Sequence, residues 1–370
     1  MVIVIGGINQ DIKGAPDSVL RTASSNPGKV WTSPGGVGGN IAVNLAMCGI
    51  EVSLLSLLGD DQAGQRLLEF LECTGVGTGM LRILPGARSG TYLAIQDSSG
   101  ELVAAVSDME ILEHLSPVLL GEYAGEFRHS ECLIADANLP VDSLRWISRF
   151  AREYNLPLVL EPVSVEKAAR LKDFSLDQVW ISPNADEFRA VFDLPPAVWN
   201  RFISQIKDSP SGQPEILDLS PLTEGANFFR SGACPSDRTD DSEYPDPGEP
   251  CAPVIFLTLG ASGVILMSRD PDCPSKGLCR LPKGNSSDQG WHGWRYPALK
   301  AVPRDVNGAG DAFTAGLVSA LLHRDINMPI EKAICFAQSA AVLTLESEQT
   351  SVQDISVERI MAKLNKPGIM

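Results

Sequence analysis

Asp305-Val306-Asn307-Gly308-Ala309-Gly310-Asp311-Ala312-Phe313 reads as a glycine turn that opens into a helix. Three small residues at a helix start leave backbone N–H groups bare, and such groups bind anions. Asp311 stands beside that anion site as a candidate proton acceptor. An anion hole next to a base is the equipment for moving a phosphoryl group onto a hydroxyl. The same residues would also serve as a plain strand-to-helix turn with an aspartate capping the helix.

Upstream, short apolar runs recur at Val2–Ile5, Val52–Leu58, Cys132–Ala135, Leu158–Leu160, Val179–Ser182, Val254–Leu259 and Val264–Met267. Helical patterns lie between many of them (Ile41–Cys48, Gln65–Glu72, Val141–Tyr154, Glu166–Lys172), and the last third is helical over Ala312–Leu322 and Pro329–Leu345. Strands alternating with helices predict an α/β fold in one domain, residues 1–370, with a mostly parallel sheet covered on both faces. Thr91–Ile95 and Glu101–Val106 flank Asp97-Ser98-Ser99-Gly100, a hairpin signal, and a hairpin placed there predicts a small flap. The Ser-, Pro-, Gly- and Asp-rich stretch of about 208–252, acidic over Asp237–Glu249, and the polar excursion of about 269–293 read as surface insertions.

The chain has 370 residues, 44% hydrophobic and 21% charged, with a formal net charge of -16. That charge argues against nucleic acid or an anionic membrane as partner, while leaving room for a small anion held by local N–H groups. Eight cysteines occur without a CxxC pair, and Cys48, Cys132 and Cys335 lie in apolar segments, so free thiols in a reducing, cytoplasmic setting are expected. No signal peptide or membrane-spanning run is legible, and Val2–Ile5 meets Gly6-Gly7 at once. Because the chain opens on a core-type strand, an upstream extension or partner domain is left open.

Three further motifs carry chemistry. In Ile5-Gly6-Gly7-Ile8-Asn9-Gln10-Asp11 a strand ends in glycines, where open α/β sheets bind ligands; Asn9 and Asp11 then either hold vicinal hydroxyls or form an Asx turn. In Ser33-Pro34-Gly35-Gly36-Val37-Gly38-Gly39-Asn40 the glycines let a ligand approach the backbone, and Asn40 is a cap or a hydroxyl-binding amide. A dinucleotide fingerprint starting at Gly36 fails, because Ile41 stands where its last glycine belongs and no core strand precedes it. In Ser182-Pro183-Asn184-Ala185-Asp186-Glu187, Asn184 and Glu187 make either a capping pair or a carboxylate that orients a Mg²⁺-bound water near a polyphosphate. Leu257-Thr258-Leu259-Gly260-Ala261-Ser262-Gly263 is a strand entering a glycine turn suited to nucleotide contact.

In this order, over essentially the whole chain, the motifs resemble the ribokinase-like (PfkB) carbohydrate kinase family. Within it the resemblance is nearest to its pseudouridine kinase branch. Its carriers are Asn9–Gly14, Asn26–Lys29 leading into Pro34–Gly38, Ser107-Asp108-Met109, and Pro162-Val163-Ser164 followed by Lys167. Val37 stands where ordinary ribokinases carry Lys, which counts against a free pentose.

The resemblance implies a three-layer α/β/α fold with a β-hairpin lid, its strands at about 12–34 and 89–108. Asp311 would be the base, and Gly308, Ala309 and Gly310 would hold the transferring phosphate. Asn184, Thr258, Gly260 and Gly263 would join Gly308 and Gly310 around the nucleotide, with Glu187 holding Mg²⁺ through water. Asn9, Asp11, Gly35, Gly36 and Asn40 would bind ribose, and Thr91, Asp108, Asn138 and Lys167 would surround the base or flap. Asp305 and Asn307, with carbonyls around Leu345–Thr350, would bind K⁺, although Val306-Asn307 replaces the usual Thr-Thr. Glu161 stands where the nearest relatives carry Asp. The implied activity is ATP-dependent phosphorylation of the pseudouridine 5′-hydroxyl, in a homodimer joined through the lid. Kinases of ribose, fructose, adenosine or uridine, and a non-catalytic sensor on the same fold, are the rivals.

Overall fold

A run of four or five β-branched or leucine residues with no polar alternation has to be buried on both faces, which is the condition of a central parallel strand. The computed structural model bears this out for β1 (Val2–Ile5), whose four side chains are all buried. It describes residues 1–172, 174, 179–207, 215–225, 253–270, 272–273, 290–304, 306–323, 328–347 and 355–365. The other strands are β2 (Asn9–Pro16), β3 (Gly28–Gly35), β4 (Val52–Leu55), β5 (Leu57–Gly59), β6 (Arg82–Leu84), β7 (Gly90–Gln96), β8 (Leu102–Asp108) and β9 (Cys132–Asp136). They continue with β10 (Leu158–Glu161), β11 (Val179–Ile181), β12 (Glu215–Leu217), β13 (Val254–Thr258), β14 (Val264–Ser268) and β15 (His292–Tyr296).

The main sheet runs β12-β15-β14-β13-β11-β10-β9-β1-β4, parallel from β4 to β13 and antiparallel across β14, β15 and β12. Its two faces feed two apolar layers. One gathers Val2, Val4, Ile134 and Trp180 under helices Val37–Met47, Ala309–Leu322 and Ile330–Leu345. The other gathers Ile3, Ile5, Leu133 and Leu160 under helices Val141–Glu153, Ala185–Val191 and Pro196–Lys207. The three-layer α/β/α expectation therefore holds. Among the described residues, no helix is long and apolar enough to cross a membrane.

The lid is a separate four-stranded sheet ordered β3-β2-β7-β8. Asp97 closes its hairpin by accepting from the N–H groups of Ser99 (2.8 Å) and Glu101 (3.0 Å). Two details depart from the sequence reading. The run Val52–Leu58 breaks at Ser56, with β4 in the main sheet and β5 turned aside to pair with β6. Within the stretch read as a polar insertion, Glu215–Leu217 adds an edge strand and helix Ser220–Gly225 follows it, with Leu219 and Leu222 buried. Residues 208–214, 226–252, most of 269–293, Asp305 and 348–350 lie outside the described residues.

Candidate active site

The site forms where the parallel strands end. Asp136, at the end of β9, accepts from the N–H groups of Gly7 (2.8 Å) and Gly38 (3.0 Å) on one oxygen and of Asn138 (2.9 Å) on the other. One buried carboxylate thus ties the exit of β1, the start of helix Val37–Met47 and the exit of β9. A side chain at Gly6 would overlap the Asp136 carboxylate, and one at Gly36 (φ 94°) would press on the Gly7 carbonyl and the Asn9 amide. Burial pushes Asp136 above the usual carboxylate range despite its three donors.

Helix Ala309–Leu322 begins at Gly308, left-handed at φ 76°, with no side-chain cap. The N–H groups of Ala309, Gly310 and Asp311 therefore have no helical acceptor. A side chain built at Gly310 meets no atom within 4 Å, so the space over this helix mouth is open. Asp311 sits in the first turn, buried, with its Oδ2 accepting from Asn40 Nδ2 at 2.7 Å. Burial raises its pKa to about 7; the Asn40 bond pulls the other way, and the carboxylates of Asp136, Glu187 and Asp11 add to the rise. A carboxyl half-ionised near neutrality is matched to taking a proton from a hydroxyl.

Opposite lie Asn9 and Asp11 on one face of β2, with Asn9 Nδ2 donating to Asp11 Oδ1 at 2.6 Å. A side chain at Gly35 would overlap the Asp11 carboxylate, so Gly35 backs the site without lining it. On the other flank, Asn184 caps helix Ala185–Val191 in a reciprocal pair: its Oδ1 accepts from the Glu187 N–H (3.0 Å), and Glu187 Oε2 accepts from the Asn184 N–H (2.9 Å). Burial raises Glu187. Asn184 forms a bridge with Thr258, and the turn beyond carries Gly260 (φ 52°) and Gly263 (φ 94°). A side chain at Gly263 would strike the Tyr296 carbonyl.

These groups share one cleft of about 850 Å³, which brings together Asn9, Asp11, Gly36, Asn40, Asn138, Lys167, Asn184, Glu187, Thr258, Gly260, Gly263, Asn307, Gly308, Ala309, Gly310 and Asp311. Thr91 and Asp108 are not among its lining residues. They face each other across β7 and β8, and their neighbours Tyr92 and Ser107, also a cross-strand pair, line the cleft. Alternation along a strand moves a side chain to the opposite face with a shift of one residue, and sequence alone does not fix which parity the lid adopts. Lys167 contacts the Asn138 amide oxygen; burial lowers its pKa, and Asp136 opposes that. Val163, in the same wall, has φ 70°, and Ser164 donates to the Pro162 carbonyl at 2.8 Å, which makes a strained γ-turn.

Asp136, Tyr92 and Thr314 escaped the sequence reading. An aspartate ending an apolar strand was the available signal for the first; nothing local marks the others.

An uncapped helix mouth, a buried aspartate raised to about 7 and the hydrogen-bonded pair Asn9 and Asp11 lie in one cleft. The chain also matches the model for "pfkB family carbohydrate kinase" over residues 1–205 and 247–356. The chain belongs to that family. The kinase is 29% identical over 362 residues to the pseudouridine kinase of Escherichia coli (strain K12), covering 98% of this chain and 95% of the relative. It is 28% identical over 347 residues to the pseudouridine kinase of Arabidopsis thaliana, covering 86% and 84%. Among solved structures it resembles the Arabidopsis thaliana ribokinase complexed with ribose and ATP, with TM-score 0.67, 17% identity and coverage of 99% and 98%. A carbohydrate kinase from Agrobacterium tumefaciens gives TM-score 0.68 at 24% identity, covering 98% and 96%. The kinase is a phosphotransferase acting on a hydroxyl of a sugar or nucleoside.

Proposed function

We propose that this kinase transfers the γ-phosphoryl group of ATP to the 5′-hydroxyl of pseudouridine. The observation that carries the reaction type is Asp311, held at 2.7 Å by Asn40 in the first turn of an uncapped helix. Support for the acceptor comes from two relatives named pseudouridine kinase that match along most of their length.

In this reading Asn9 and Asp11 grip the ribose hydroxyls and Asp311 accepts the proton of the attacking hydroxyl. The N–H groups of Ala309, Gly310 and Asp311 stabilise charge on the phosphoryl group in transit. Thr258, Gly260 and Gly263 line the nucleotide end. Asn138 and Lys167 lie toward the nucleobase.

The cleft suits a divalent cation. Asp11, Glu187 and Asp311 line it, burial raises the proton affinity of the last two, and Lys167 is the one cationic side chain among the described residues lining it. Glu187 would hold Mg²⁺ through the oxygen that Asn184 leaves free or through water. The ion would neutralise phosphate charge. Asn307 remains a candidate for K⁺, and exchange of K⁺ for Na⁺ in the assay tests it. On the lid, Val30, Leu102, Val103 and Val106 expose half or more of their surface, and a second copy of the chain would cover them; light scattering tests this.

ADP release measured with pseudouridine, uridine, adenosine, ribose and fructose decides the acceptor. The highest kcat/KM is expected for pseudouridine. Preference for ribose, favoured by similarity to the ribokinases of Haemophilus influenzae (23% identical) and Bacillus subtilis (24%), would overturn the nucleoside reading. Ligand-dependent melting without ADP would support a sensor.

A further inference from the structure

Three oxygens from three distant segments meet beneath Asp311. Ser182 Oγ lies 2.8 Å from Glu161 Oε2, Thr314 Oγ1 lies 2.9 Å from the same atom, and the two hydroxyl oxygens are 2.7 Å apart. All three residues are buried. Three oxygen–oxygen contacts of this length need three donated protons, and two hydroxyls supply only two. With an ionised Glu161, one contact would press lone pair against lone pair in a buried place, at the cost of an unsatisfied polar contact. A proton on Glu161 supplies the third donor and closes the ring: carboxyl to one hydroxyl, that hydroxyl to the other, and the other back to Oε2.

The surroundings favour the same state. Asp311 faces Glu161 from helix Ala309–Leu322, Glu187 from helix Ala185–Val191, and Asp136 is its partner on the neighbouring strand β9. Among the described residues, no cation is among the groups that act on it, and Lys167 acts on Asp136 and contacts Asn138. Burial and the charges of Asp311 and Glu187 push Glu161 well above the usual carboxylate range.

The geometry points to Glu161 as a positioning residue: a neutral carboxylic acid locked to Ser182 and Thr314, which spares Asp311 a second negative charge. Thr314 follows Asp311 by three residues on one helix, so the ring also fixes the turn that carries the base. The protonation claim is independent of the acceptor; the effect on Asp311 rests on the kinase reading above.

Infrared difference spectra of the wild type against Glu161→Gln test the first part without substrate. At a pH well above the Asp311 midpoint, the wild type should show a protonated-carboxyl C=O band that E161Q lacks. Absence of that band overturns the inference whatever acceptor the enzyme uses. The second part is read from the pH profile of kcat/KM. Because Gln replaces one neutral group with another, the acidic limb of E161Q should stay within about 0.3 of a pH unit of the wild type, while the rate falls by less than about tenfold. A downward displacement of the limb by about one pH unit or more means that a charge was removed beside Asp311, and refutes the proposal.

Discussion

Replacing Asp311 by Asn separates the chemistry of the cleft from its cost to the fold. The substitution keeps size and the contact with Asn40 but removes the charge and the proton-accepting oxygen. Loss of a general base costs about 10²- to 10⁴-fold in rate, so ADP release should fall to that extent while nucleotide still binds. The stability effect runs the other way. Burial raises Asp311 from 3.8 to about 7, so the folded chain holds a proton that the unfolded chain releases. The resulting stabilisation is fully present below about pH 4 and is lost as pH rises to about 7. Above that, the wild type carries a penalty on the order of 4 kcal/mol, at about 1.36 kcal/mol per pH unit. Asn stays neutral throughout. D311N should therefore be more stable than the wild type at pH 8–9 by about 2–4 kcal/mol, with the gain fading to nothing near pH 4. Denaturant melts at several pH values measure this. Near-wild-type turnover would sink the assignment of Asp311 as base, and a variant no more stable than the wild type at pH 9 would refute the argument that burial sets its proton affinity.

Asn40→Ala removes the donor that favours ionised Asp311, so the acidic limb of kcat/KM should move up by about one pH unit, with a larger loss of rate at pH 6.5 than at pH 9. Gly310→Ala meets nothing in the fold, so it should stabilise the helix by about 0.5–1 kcal/mol. Its methyl group would crowd the phosphate and raise the KM for ATP by about tenfold or more; an unchanged KM would show that the anion binds elsewhere. Gly263→Ala combines φ 94° with an overlap on the Tyr296 carbonyl, and should cost more than about 2 kcal/mol in a urea melt.

Much of this architecture was legible in the chain. β1, β9, β10 and β13 were read correctly because burial on both faces leaves an uninterrupted apolar run. The helix start at Gly308 with Asp311 in its first turn was legible because a glycine turn opening a helix is a local device. What escaped depends on partners distant in sequence. The facing of Tyr92 and Ser107 follows from pairing among β2, β7 and β8, which no residue on β7 encodes alone. Thr314 and Glu161 are 153 residues apart, and neither looks unusual in its own segment. The edge strand at Glu215–Leu217 is three residues long among Ser, Pro and Asp, too short to show a period.

One feature of the lid bears on fidelity. Asn9 and Asp11 ride on the lid sheet, whereas Asp311 and the helix mouth belong to the main body. In the proposed reaction an acceptor would be gripped by one part of the molecule and deprotonated by another, so it would have to be large enough to touch both. A water molecule has only one of those handholds. The division of labour between two sheets would then work as a ruler against idle hydrolysis of the nucleotide.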